Sequence, residues 1–212
     1  MELSETYVEP QDGMNINLTI NFEIQQALER ELDNAVSRYN PDQALAIVMN
    51  PNTGEVLAMS SRPNFSPTNY KDYSKEEINR NLPIWATYEP GSTFKIITLA
   101  TALEEKLIDL DKDTFTDTGS VNVAGARIKC WKHGGHGTQT LLQVVENSCN
   151  PGFVYIGQKI GKETLFKYIK NFGFGNKTGI DLNGESKGIL FKEENVGPVR
   201  QYNLQQHHLV KE

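Results

Sequence analysis

The chain has 212 residues, 38% of them hydrophobic and 23% charged, with 17 glycines and 9 prolines, a balance that excludes fibrous and disordered classes. Its 21 Lys and Arg against 27 Asp and Glu leave a formal charge of −6 spread along the chain, which argues against a nucleic acid or an anionic membrane surface as partner. Two cysteines are too few for a disulfide framework, and the longest apolar run, Ala44 to Met49, falls far short of the ~20 residues of a membrane-spanning helix.

Residues 1–13 are polar and acidic and read as a disordered or extended lead-in; Met1 to Glu5 has neither the basic nor the apolar segment of a signal peptide. Met14, Ile16, Leu18 and Ile20 then alternate with polar residues, the period of a half-buried strand. Asn21 can cap a helix whose apolar face is Ile24, Leu28, Leu32, Ala35 and Val36. Residues 43–49 and 55–60, joined by Asn50-Pro51-Asn52-Thr53-Gly54, read as a β-hairpin, its first strand apolar enough to be buried on both faces. A loop over 61–73 and a short helix over 75–81 follow.

Tyr88-Glu89-Pro90-Gly91 breaks the chain, and a helix starts near Ser92 with Phe94, Ile97, Ala100, Thr101 and Leu103 on one face. Residues 114–131 read as short strands with glycine turns, ahead of His133-Gly134-Gly135-His136-Gly137. Helices over 139–146 and 152–160 flank Asn147 to Pro151, and a helix over 162–171 ends at Gly173. Helices and strands alternate without βαβ regularity, so the expected class is α+β (mixed α/β).

The strongest chemical signal is Ser92-Thr93-Phe94-Lys95. Residues i and i+3 share a helix face, so a Ser hydroxyl and a Lys amine can meet. In the first turn, free backbone N–H groups and the positive end of the helix dipole surround the hydroxyl. A partly desolvated Lys can be neutral and take the Ser proton. On the tetrapeptide alone a Ser cap followed by a solvated Lys is the better reading. Ser148-Cys149-Asn150, 56 residues on and between two helices, changes that balance: a second hydroxyl can relay a proton, and the Asn amide can hold a substrate carbonyl. S-x-x-K with S-x-N is the serine acyltransferase pairing of penicillin-binding proteins and serine β-lactamases.

Neighbouring words narrow the branch. Asn17 to Ile20, Ala46 to Met59 (AIVMNPNTGEVLAM), Glu89 to Lys95 (EPGSTFK), Ser148 to Pro151 and Phe172 to Gly175 together resemble class B penicillin-binding proteins, the monofunctional D,D-transpeptidases, in their stage V sporulation protein D and division-type branch. The resemblance covers about Leu18 to Val199, so the expected organisation is a partial transpeptidase domain over 14–199 and an unmatched tail over 200–212. It implies an antiparallel sheet between helices. It also implies Ser92 as the acylated nucleophile, Lys95 as its base, Ser148 as proton relay and Asn150 as the substrate-amide contact. Substrates would be peptidoglycan stem peptides, with β-lactams acylating the same serine. The site would work at the extracytoplasmic face of the cell membrane. A membrane anchor is expected in the full-length protein, division or sporulation proteins are possible partners, and no organic cofactor is implied. Two rivals stand beside this reading: a class D-like β-lactamase, and a non-catalytic β-lactam-binding receptor or scaffold fragment.

The family's third motif is Lys-Thr/Ser-Gly on an inner strand. Lys177-Thr178-Gly179 lies only 27 residues after Asn150, in a phrase that in the family is a structural turn, so it is not assigned that role. The true triplet and its strands are then expected to be missing, and the chain alone is expected to have little or no activity.

Cys130, His133, His136 and Cys149 form a second constellation, two thiolates and two imidazoles at zinc-ligand spacing, with Gly134, Gly135 and Gly137 permitting a tight backbone path. A structural zinc site is the favoured reading. A Cys130–Cys149 disulfide and a solvated glycine-rich loop remain open beside it. His207-His208, in the tail, reads as solvated.

Overall fold

The computed structural model describes residues 9–196; the expectations for residues 1–8 and for the 200–212 tail lie outside the described residues. The chain divides into two compact units at Pro83/Ile84. Among the described residues no helix is long and apolar enough to cross a membrane.

The first unit is built on helix α1 (Phe22–Tyr39). The Asn21 carboxamide accepts the Ile24 N–H at 3.1 Å, and Asn40 closes the other end in the left-handed region, its N–H donating to Val36 O. Strands β1 (Ala44–Met49) and β2 (Val56–Arg62) pair antiparallel, Ala46 opposite Ser60 and Val48 opposite Ala58, with an irregularity at Val48/Met49. Gln25 of α1 locks onto β2, donating to Met59 O at 3.0 Å and accepting from Met59 N at 2.9 Å. Arg62 is the second tie, reaching Glu29 and Asp33 at 2.7 Å each. The short helix α2 (Lys75–Asn79), with a Ser74/Glu77 capping box, follows, and the division between the units falls within α3 (Leu82–Trp85).

Two expectations fail in this unit. The alternating segment 14–20 forms no strand: Met14, Ile16 and Leu18 are exposed, and the segment is tied to β2 by Thr19 Oγ1 to Val56 O, with Asn21 N–H to Leu57 O just after it. β1 is not buried on both faces either. Leu45, Ile47 and Met49 are exposed on a side that, among the described residues, nothing covers, because α1 packs on one face of a two-stranded sheet. An apolar run reports that a strand forms, not how many of its faces are covered.

The second unit carries the larger core. A 3₁₀ turn (Gly91–Phe94) leads into α4 (Lys95–Glu104), which packs against α6 (Asn150–Ile160) and α7 (Lys162–Asn171). Phe94, Ile97, Phe153, Ile156, Phe166 and Ile169 fill the space between them. The buried face of α4 includes Thr98 and Ala102, while Leu103, expected inside, is exposed. Strand β3 (Thr114–Asp117) pairs with β6 (Gly137–Thr140), bringing Asp117 opposite Gly137, and β4 (Ser120–Val123) pairs with β5 (Ala126–Lys129). Helix α5 (Leu141–Glu146) starts at a Thr140/Gln143 capping box. α6 begins two residues earlier than expected. Pro151 sits in its first turn, where a missing N–H costs nothing because that N–H has no helical acceptor. Gly152 permits close approach to α5: a Cβ there would come within 2.5 Å of a Val144 methyl.

Candidate active site

Ser92 lies in the 3₁₀ turn and is exposed, whereas Lys95, one turn later, is 3% exposed. The Lys95 N–H bonds back to the carbonyls of Ser92 and Thr93, so the turn that presents the serine is continuous with the helix that buries the lysine. The lysine stem passes the Phe153 ring, with Nζ 5.0 Å from its centroid.

Nζ ends among three oxygens of the α5–α6 turn: Asn150 Oδ1 at 2.7 Å, Ser148 O at 2.9 Å and Ser148 Oγ at 3.0 Å. Two of these are carbonyl oxygens, which only accept. The third is a hydroxyl, which can also donate. A neutral amine, with two N–H groups and one lone pair, fits this triad as well as an ammonium does. Burial lowers the Lys95 pKa to about 8, against the opposing pull of Cys149 and Cys130. The group is therefore suited to exchanging a proton near neutral pH.

The turn itself is held from several sides. Ser148 adopts φ 46°, a left-handed conformation costing a non-glycine residue ~1–3 kcal/mol. Asn150 Nδ2 donates to Lys129 O at 3.1 Å, and Trp131 Nε1 donates to Asn147 O at 2.8 Å. The end of β5 and the segment after it thus grip both sides of Ser148.

Directly behind the turn lies the second constellation, with one change of membership. Asp117, Cys130, His136 and Cys149 each bring a ligand-type atom within 4.8 Å of the others. His133 is not among them, which corrects the ligand set expected from spacing. After β5 the chain turns at 132–135, Gly135 N–H donating to Lys132 O, and His133 is left exposed on the outside. His136 points inward, with its backbone N–H and Nδ1 both on Asp117 Oδ2, at 3.0 and 2.9 Å. Gly135 makes this path possible: at φ 82°, any Cβ would collide with Asp117 O and Gly119 N.

Cys149 Sγ donates to Asp117 Oδ2 at 3.3 Å, and Cys130 Sγ lies 3.3 Å from His136 Nδ1. Burial works to raise the Asp117 carboxyl, but hydrogen bonds from Cys130, His136, Gly119 and Cys149 outweigh it and hold the group well below the ordinary carboxylate range. Burial pushes the Cys149 thiol up to about 12 and raises Cys130 as well. Asp117 carried no sequence signal beyond its place before Thr118-Gly119, where an acidic residue reads as a turn former.

Lys177-Thr178-Gly179 lies on no strand. Its three residues are exposed, and Glu185 accepts from Thr178 N and Oγ1 at 2.6 Å each and from Gly179 N at 3.3 Å, a local turn clasp.

Three comparisons bear on this geometry. The sequence profile of the penicillin binding protein transpeptidase domain matches residues 44–205. Stage V sporulation protein D of Bacillus subtilis (strain 168) is 59% identical over 198 residues, 93% of this chain and 31% of the relative. A peptidoglycan D,D-transpeptidase FtsI homolog of Mesostigma viride is 31% identical, over 81% of this chain and 29% of the relative. The crystal structure of a peptidoglycan synthetase from Bifidobacterium adolescentis superposes with a TM-score of 0.78 at 27% identity, covering 90% of this chain and 34% of that one. The chain thus spans about a third of the length of the proteins it matches.

Proposed function

Because the chain belongs to the penicillin-binding protein transpeptidase family, we propose that it carries the acylating half of a peptidoglycan D,D-transpeptidase site, with Ser92 as nucleophile. Ser92 Oγ attacks the carbonyl carbon of the penultimate D-alanine of a stem peptide, and its proton passes to the Lys95 amine. The C–N bond then breaks, a proton relayed through Ser148 Oγ goes to the departing D-alanine amine, and an ester to Ser92 remains. An amine of a neighbouring stem peptide attacks that ester, the proton returns to Ser92, and a new amide joins the two strands. Asn150 exchanges its Nδ2 bond to Lys129 O for one to the substrate carbonyl. A β-lactam enters at the first step and stays as the ester. The work belongs to the extracytoplasmic face of the membrane, with sporulation or division proteins as the fitting partners.

The observation that carries this reading is the buried Lys95 amine, one turn after an exposed serine and bonded to both Ser148 and Asn150. The test is intact-mass and peptide mapping after incubation with benzylpenicillin. A slow, stable adduct on the Ser92 peptide is expected, and S92A should carry none. Rapid nitrocefin turnover would favour a β-lactamase. A penicillin adduct on another residue, with S92A still labelled, would refute the assignment.

A further inference from the structure

We propose that Asp117, Cys130, His136 and Cys149 bind one zinc ion, and that this ion fixes the turn carrying Ser148 and Asn150. The donor set is two thiolates, one imidazole and one carboxylate, all of which zinc accepts. Tetrahedral zinc, with bonds of about 2.0–2.3 Å, places its ligands about 3.3–3.8 Å from one another. The spacings in the structure approach that frame: Cys149 Sγ to Asp117 Oδ2 3.3 Å, Cys130 Sγ to His136 Nδ1 3.3 Å, His136 Nδ1 to Asp117 Oδ2 2.9 Å, and all four atoms within 4.8 Å.

The cluster is also enclosed. The Asp117 side chain is fully buried, that of His136 is 5% exposed, and both cysteines are buried. The cation this buried carboxylate meets is the imidazole of His136, which is charged only if protonated. A divalent ion on Asp117 Oδ2 would take the place of the Cys149 Sγ hydrogen and of the hydrogen shared between that oxygen and His136 Nδ1, while the His136 backbone N–H keeps donating to the carboxylate. Binding through Nδ1 leaves the ring proton on Nε2, and the two thiol protons leave to solvent. Four protein ligands close the coordination sphere, so the ion is structural and has no position for substrate.

The placement of the ligands gives the ion its consequence. Asp117 ends β3, Cys130 follows β5, His136 precedes β6, and Cys149 is the residue before α6. Cys149 stands between Ser148 and Asn150, the two residues that hold Lys95. Cys130 follows Lys129, whose carbonyl holds Asn150. An ion joining the two cysteines therefore anchors both the strained turn and the backbone that grips it. The metal site stands by itself; only its importance for acylation rests on the acyl-serine reading.

The test uses purified protein kept reduced. Elemental analysis should find about one zinc per chain. Stripping with a chelator should lower the melting temperature, and Zn²⁺, but not Mg²⁺, should restore it; this arm needs no variant to fold. Co²⁺ in place of zinc should give the thiolate charge-transfer bands and intense visible bands of a tetrahedral sulfur site. D117N should bind zinc at least tenfold more weakly, and H133A should bind it as the wild type does. Amide exchange of the 147–152 peptide should quicken at least tenfold on stripping, whatever the enzymatic activity. Absence of zinc together with no thermal response to added Zn²⁺ would overturn the site. So would a native mass two units low, marking a Cys130–Cys149 disulfide, or loss of metal in H133A but not D117N. Unchanged exchange at 147–152 with zinc gone would overturn its positioning role. Failure of penicillin labelling with zinc bound would strike only the acyl-serine reading.

Discussion

Replacing Lys95 with methionine tests the proposed base directly, because Met keeps the unbranched stem against Phe153 and deletes only the amine. The two carbonyl acceptors lose a donor, which for fully buried groups costs ~1–3 kcal/mol each. Ser148 and Asn150 are only half-buried, so water can replace Nζ, and removal of a desolvated cation offsets the remainder. The melting temperature should move by only a few degrees. Acylation should fall far more, by the ~10²–10⁴ that a positioned general base supplies. The pH profile sharpens the test. In the proposed role Lys95 would act as its free base, and with a pKa of about 8 the neutral fraction is about one-tenth at pH 7 and nine-tenths at pH 9, a tenfold rise. Relative to a lysine at its model value of 10.5, the shift to about 8 gives roughly 300-fold more free amine at pH 7. An intact-mass time course of benzylpenicillin acylation from pH 6 to 9.5 should therefore climb with an inflection near 8 in the wild type and be low and flat in K95M. A wild-type rate that is level or falling from pH 7 to 9, or a K95M rate within tenfold of it, would refute Lys95 as base.

S148A and S148G should both slow acylation by about 10² or more, yet S148G should melt above S148A, because glycine relieves the left-handed backbone at φ 46°; circular dichroism melts decide it. G152A should destabilise by ~1–3 kcal/mol through its collision with Val144, measured by urea unfolding, and shortening the partner in V144A/G152A should recover part of that loss. R62M should lower the melting temperature by removing the partner of Glu29 and Asp33. Both carboxyls are held below their ordinary values when folded, so the stability they contribute is present above those values and is lost as pH falls through the folded ones. The gap between R62M and the wild type should accordingly be widest near pH 7 and close below about pH 4, as seen in melts across that range.

What the sequence disclosed depended on how far apart the cooperating residues lie. Asn21 bonds a backbone N–H three positions on, so the cap of α1 is a local fact that residue type nearly decides. Ser74 and Thr140 cap α2 and α5 in the same way but are not among the caps read from the sequence, and α5 starts at Leu141 rather than at 139. The hairpin at 44–62 was visible because its turn residues and both strands fall within 20 positions. Lys95 with Ser148 and Asn150 spans more than 50 positions, and no periodicity reports such a meeting; the S-x-x-K and S-x-N words were legible only as a resemblance. His133 and Asp117 mark the limit from opposite sides. Spacing favoured His133 because it sits three residues from Cys130, but direction within a turn decides which imidazole faces inward, and the Gly135 backbone gives that direction to His136. Asp117 lies 13 to 32 positions before its three partners and reaches them because the β3–β6 register sets it opposite Gly137, one residue after His136. The same register places the cluster beneath Cys149, so the feature the sequence described least well supports the turn it described best. Cys149 cannot be moved without moving Ser148 and Asn150, and whatever holds its sulfur holds the lysine's partners as well.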